Sequence, residues 1–106
     1  MTRCEFTTVD DRITGFVISG HSGYDEEGAD IVCAAITSAV RLAEATIHDV
    51  CGAKAKVRAK DDARISLTLP ASCDEEDSVQ AVLAGLLLYL AELRDEYPDY
   101  IEVVEV

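Results

Sequence analysis

Three features of the sequence predict an α+β fold with the element order β-β-α-β-β-α-β. Two pairs of short β-branched or alternating segments are each followed by a helical pattern, and one further alternating segment follows Pro98. The expected architecture is a mostly antiparallel sheet packed with two helices in a layered arrangement. With 106 residues the chain holds one modest core, so residues 1–106 are read as a single domain.

The first two strands are CEFTTV (Cys4 to Val9) and ITGFVIS (Ile13 to Ser19), separated by Asp10, Asp11 and Arg12 in the manner of a hairpin. The loop from Gly20 to Ala29 carries three glycines, three acidic residues and no apolar period. From Asp30 the pattern becomes helical, with Ile31, Ala34, Ala35, Ser38, Leu42 and Ala45 at three- and four-residue spacing, and Cys51-Gly52 is the expected stop. The stretches Ala53 to Lys60 and Arg64 to Leu69 alternate about a turn at Asp61-Asp62 and form a second hairpin. Pro70 ends it, and SCDEEDS is a polar connector.

The second helix runs from about Glu76 to Glu96, with acidic residues in its first turn, where the helix dipole favours them. Its core, VLAGLLLYLAEL, is apolar on more than one face, so it is either sandwiched in the domain or buried against another subunit. Tyr89, Tyr97 and Tyr100 suit a core rim or a dimer contact. Pro98 stops the helix, and Tyr100 to Val106 makes a last strand whose Glu102 and Glu105 blunt one edge.

Nine basic against 21 acidic residues give a formal net charge of −12, a surface that repels phosphate backbones and argues against direct nucleic-acid binding. The charge serves solubility or attracts a basic partner. No unbroken apolar run of membrane-spanning length and no basic-then-apolar leader at Met1 are present, so a soluble cytoplasmic protein without membrane association is expected. The four cysteines are widely and irregularly spaced and are read as reduced thiols. There is no CxxC or HxxxH spacing, and a zinc site would have to gather Cys4, His21, Cys33, Cys51 and His48, so neither metal nor cofactor is expected.

The chemistry concentrates in GHSGYDEEGADIVCAA, Gly20 to Ala35. His21 follows a strand end. If Asp30 is the helix N-cap, its carboxylate accepts from the N–H of Val32 or Cys33, and Cys33 becomes the third helical residue, near the positive end of the dipole. His21 can reach it by loop folding, whereas His48 lies roughly 20 Å further along the same helix. Free amides of the helix start, including that of Cys33, are available to an oxyanion. Together these outline a thiol acyl-transfer site. The residues alone equally permit Cys33 as a packing residue, His21 as an ordinary loop histidine and Asp30 as a simple cap whose charge opposes a nearby thiolate.

Gly20-His21, Gly28 and the run Asp30-Ile31-Val32-Cys33-Ala34 give the sequence a resemblance to the ribosomal-processing cysteine proteases of bacteria, the Prp family, with the same histidine-to-cysteine separation. The order of elements and the chain length agree over essentially the whole protein. The resemblance implies a cysteine endopeptidase that removes a short N-terminal extension from a large-subunit ribosomal protein precursor, cutting after a small residue preceded by aromatics. Cys33 is then the nucleophile, His21 the base and Asp30 a supporting residue. The loop from Ser22 to Ala29 then closes over the peptide, with Gly20, Ser22, Gly23 and Gly28 as substrate-binding residues, and the enzyme is expected to be a homodimer. The sequence departs from the family pattern in the acidic Asp25, Glu26 and Glu27 and in Thr37, where the family carries serine. The alternative is a non-enzymatic ribosome-associated or assembly module whose acidic face binds a basic ribosomal protein.

Overall fold

A computed structural model of the chain describes residues 1–26, 29–60 and 63–106; Glu27, Gly28 and the predicted turn Asp61-Asp62 lie outside the described residues. Strands β1 (Thr2–Val9) and β2 (Arg12–Ser19) form the first hairpin. Asp10 and Asp11 both take left-handed backbone, φ 51° and 64°, the two-residue turn whose twist matches that of the flanking strands. Arg12, expected in the turn, is instead the first residue of β2, paired with Val9.

Helix α1 (Ile31–Ala45) continues into a π-helical turn, Thr46–Val50, where the sequence predicted unbroken helix up to Cys51. Within that turn His48 places Nε2 2.9 Å from the carbonyl of Ala55, tying the turn to the connector before β3 (Lys56–Lys60). β3 therefore begins later than the alternation from Ala53 suggested. β4 (Arg64–Thr68), α2 (Glu76–Glu96) and β5 (Ile101–Glu105) follow. From Ile31 to Val50 the helical stretch is 20 residues long and, by length and composition alone, apolar enough to cross a bilayer. In the fold it lays Val32, Ile36, Val40, Ala43 and Ile47 into the core.

The strand order is β3-β4-β2-β1-β5. β1–β2, β2–β4 and β3–β4 pair antiparallel, and β1–β5 pair parallel. Paired residues share a face, and Cys4, Phe6, Phe16, Ile18 and Leu67 meet the apolar stripes of both helices in one core. The Phe6 and Phe16 rings lie 5.7 Å apart at its centre. The opposite face of the sheet is open, and there Arg3 bridges Glu5 and Glu102 at 3.4 and 3.3 Å. Both outer strands are blunted by charge, β3 by exposed Lys56, Arg58 and Lys60, and β5 by Glu102 and Glu105.

The start of α2 is fastened to the first hairpin. Arg12 donates to Pro70 O at 2.8 Å and to Glu76 Oε1 at 2.9 Å. The Gln80 amide matches both backbone groups of Ile13, each at 2.8 Å. Val79, Leu83, Leu86, Leu90 and Leu93 form the buried stripe of α2, while Leu88 is 62% and Tyr89 42% exposed. α2 is therefore buried along one stripe only and is not enclosed on all sides within the domain.

Candidate active site

β2 ends where the chain must turn sharply. Gly20 has φ +84°, and a Cβ on it would sit 2.6 Å from the Met1 carbonyl oxygen. Its N–H donates to Ala63 O at 2.8 Å and its carbonyl accepts from Thr2 Oγ1 at 3.2 Å. Gly20 thus pins the main chain between the N-terminus and the approach to β4, and His21 leaves this anchored point as an exposed side chain.

At the other end of the loop Asp30 caps α1 as predicted. Its extended backbone (φ −80°, ψ 103°) lets Oδ1 accept from Val32 N at 3.0 Å and Cys33 N at 2.9 Å. Oδ2 faces back into the loop and accepts from Ser22 Oγ at 2.5 Å, Tyr24 N at 3.2 Å and Asp25 N at 3.4 Å. Burial by itself raises the pKa of this carboxyl, but the hydrogen bonds from Ser22, Cys33, Asp25 and Val32 outweigh it and bring the pKa down to about 2. Asp30 is therefore a buried anion at neutral pH whose charge is spread over five donors.

Cys33 is the third residue of α1 and half-buried. Its sulfur engages Ser22 twice: the S–H donates to Ser22 Oγ and the Ser22 N–H donates to Sγ, both at 3.4 Å. Ser22 itself is only 2% exposed, so its hydroxyl serves Asp30 and Cys33 from beneath the loop. His21 and Cys33 both line a cleft of about 540 Å³ running between α1 and the β3–β4 hairpin, and a second of about 620 Å³ under the loop. No hydrogen bond between His21 and Cys33 is present among the described residues; the direct partner of the thiol is Ser22.

One expectation is corrected. The Cys33 amide is not free for an oxyanion, because the cap that positions the residue takes up its N–H, and the Val32 and Ala34 amides are likewise bonded to Asp30. The five scattered zinc-ligand candidates also separate. Cys4 lies in the core, where burial pushes its thiol up to about 12, and His48 is held by Ala55, so only His21 and Cys33 reach one cleft. Among the described residues no three His, Cys, Asp or Glu side chains converge as a metal site. Cys73 donates to Glu76 at the start of α2, and all four cysteines are free thiols.

Of the predicted loop residues, Gly20 lines the first cleft and Gly23 the second, Ser22 is buried within the scaffold, and Gly28 lies outside the described residues. Sequence reasoning missed Arg41, which lines both clefts together with Thr37. Its signal was available: Cys33, Thr37 and Arg41 follow one another at four-residue spacing on one face of α1. It also missed the contact of Tyr24 with Tyr97 and Tyr100, for which no local pattern exists.

Residues 1–102 match the family model of cysteine protease Prp. The chain belongs to the Prp family of cysteine proteases. Membership sets aside the alternative of a non-enzymatic module. Among solved structures, the essential ribosomal processing protease Prp of S. aureus with a covalently linked product peptide is 21% identical over 100% of both chains, with a TM-score of 0.93. The same protease with a substrate peptide is 20% identical over 100% of both chains, with a TM-score of 0.86. A protein of Streptococcus mutans is 19% identical over 100% of this chain and 96% of its own, with a TM-score of 0.85. No curated protein sequence matches. The β-β-α-β-β-α-β Prp fold is thus shared across the full length, and the residues that gave the resemblance, Gly20-His21 and Asp30 to Ala34, stand at the two ends of the loop over the clefts.

Proposed function

We propose that this Prp-family protease removes a short N-terminal extension from a large-subunit ribosomal protein precursor in the cytoplasm, with Cys33 as nucleophile and His21 as base. The observation that carries the reading is the half-buried thiol in the first turn of α1, opening onto the same clefts as the exposed imidazole of His21. The S. aureus relatives solved with substrate and product peptides support a peptide as the ligand of this fold.

In this reading His21 takes the Cys33 proton and the sulfur attacks the scissile carbonyl carbon. The tetrahedral oxyanion then collapses, the C–N bond breaks, and the imidazolium returns its proton to the leaving amine. Water, activated by the same imidazole, hydrolyses the thioester and regenerates the thiol. With the helix-start amides capped by Asp30, the N–H of Ser22, 3.4 Å from the sulfur, is the amide best placed to serve the developing charge. The first cleft has an apolar floor of Ile18, Ile36, Val40, Val57 and Ile65, which suits the apolar residues that the family resemblance places before the cut.

A homodimer is part of the proposal. Leu42 is 70% exposed and faces, with Leu86 and Tyr89, a groove of about 560 Å³ between α1 and α2. Light scattering should give twice the chain mass, and Leu42→Glu should give the monomer.

The decisive experiment is cleavage of a precursor peptide that spans the junction. The wild type should cut it and Cys33→Ala should not, while both give the same circular dichroism. Cutting of the same bond by Cys33→Ala would sink the assignment.

A further inference from the structure

We propose that Tyr24 is a positioning residue for the reaction, acting as an aromatic clasp that holds the loop, and through it Ser22 and the Cys33 thiol, in working geometry. The inference rests on the reading of Cys33 and His21 as the reacting pair. The loop is tied at its first residue by the backbone bonds of Gly20 and at its last by the cap of Asp30. Between them, the Tyr24 ring stands edge-on to Tyr97, centroids 5.5 Å apart at 84°, and to Tyr100, 5.2 Å apart at 76°. Both partners are rigidly placed, Tyr97 at the C-cap of α2 and Tyr100 just before β5. Such edge-to-face pairs are favourable beyond the area they bury.

The same residue carries the backbone amide that bridges Ser22 Oγ at 3.3 Å and Asp30 Oδ2 at 3.2 Å. Asp25 N–H, next in the chain, reaches the same Oδ2. The clasp therefore fixes the segment that donates to Asp30 and also sets the place of Ser22, to which both hydrogen bonds of the thiol go. Released from the tyrosine pair, the loop would still be tethered at its ends, but the amides of Tyr24 and Asp25 would leave Oδ2 and the sulfur would lose its fixed partner. Thr37 and Arg41, which line both clefts, sit on α1, and the apolar floor of the first cleft lies on α1 and the strands. Neither depends on the clasp, and of the described residues of the clasped segment only Gly23 and Asp25 reach the second cleft. Turnover should suffer and peptide binding should not.

The test measures cleavage kinetics of the junction peptide for the wild type, Tyr24→Ala, Tyr24→Phe, Tyr97→Ala and the Tyr24→Ala/Tyr97→Ala double variant, with amide hydrogen exchange of each free protein. Tyr24→Ala should lower kcat by about tenfold, the population shift expected from losing two aromatic contacts, and leave KM within about twofold. Tyr24→Phe keeps the ring and should match the wild type. Tyr97→Ala should also lower kcat, and the double variant should be no slower than Tyr24→Ala, because one clasp can be broken only once. The amides of Tyr24 and Asp25 should exchange faster in Tyr24→Ala, while those of Ile36 to Val40 stay protected. Wild-type kcat in Tyr24→Ala, an equal loss in Tyr24→Phe, or additive losses in the double variant would each overturn the proposal. Unchanged exchange at Tyr24 and Asp25 would sink the clasp with the catalytic reading intact, whereas cleavage by Cys33→Ala would sink that reading whatever the Tyr24 series shows.

Discussion

Ser22 and Asp30 share a hydrogen bond of 2.5 Å across eight residues of loop, and through it the cap of α1 and the thiol of Cys33 become one structure. Asp30 Oδ1 orients the helix start and Oδ2 orients Ser22, which in turn meets the sulfur. A change at Asp30 is therefore felt twice, in the stability of the helix and in the geometry of the site.

Asp30→Ala should lose the cap and destabilise the fold by about 1–2 kcal/mol at pH 7. Asp30→Asn should lose part of this, since its amide NH₂ cannot accept from the loop donors. The pH dependence has a definite sign. The carboxyl is held at about 2 in the fold, below its ordinary 3.8, so its contribution is complete above the ordinary value and vanishes as pH falls through about 2. Urea melts of wild type and Asp30→Asn should thus differ at pH 7 and converge between pH 4 and pH 2. A gap that stays constant over that range would disprove the role of the charge.

Gly20→Ala should destabilise by roughly 1–3 kcal/mol, since both the left-handed φ of +84° and the 2.6 Å approach to Met1 O exclude a Cβ. Because Gly20 aims His21, kcat/KM should fall further than the melting curve alone explains. Kinetics well below the melting temperature separate the two effects.

Gln80→Leu removes both partners of the Ile13 backbone and should cost about 1–3 kcal/mol in denaturant melts. The site lies elsewhere, so the cleavage rate of the folded fraction should be unchanged. A selective loss of activity would mean that the hairpin and α2 communicate with the clefts.

Thiol labelling distinguishes the cysteines. Cys4 is fully buried and its thiol is pushed up to about 12, so it should resist iodoacetamide at pH 8 until the protein is unfolded, whereas Cys33, open to both clefts, should be labelled in the native state. Peptide mass mapping after a short pulse reads both outcomes.

The sequence by itself determined the elements and the helix-bound half of the site. Acidic residues before an apolar run and Pro98 after it delimit α2 at Glu76 and Glu96, and Asp30 followed by Ile31-Val32-Cys33 places the cysteine in the first helical turn. These features are legible because capping and helical periodicity are decided by residues within one turn of each other. The tertiary structure alone decided the parallel pairing of β1 with β5, the π turn that ties His48 to Ala55, the capture of the thiol by Ser22 and the seat of Tyr24 on Tyr97 and Tyr100. A glycine-broken loop has no period from which a fold can be read. Its side chains find their places only when the sheet and α2 bring distant parts of the chain within reach, and that reach comes from packing the whole core.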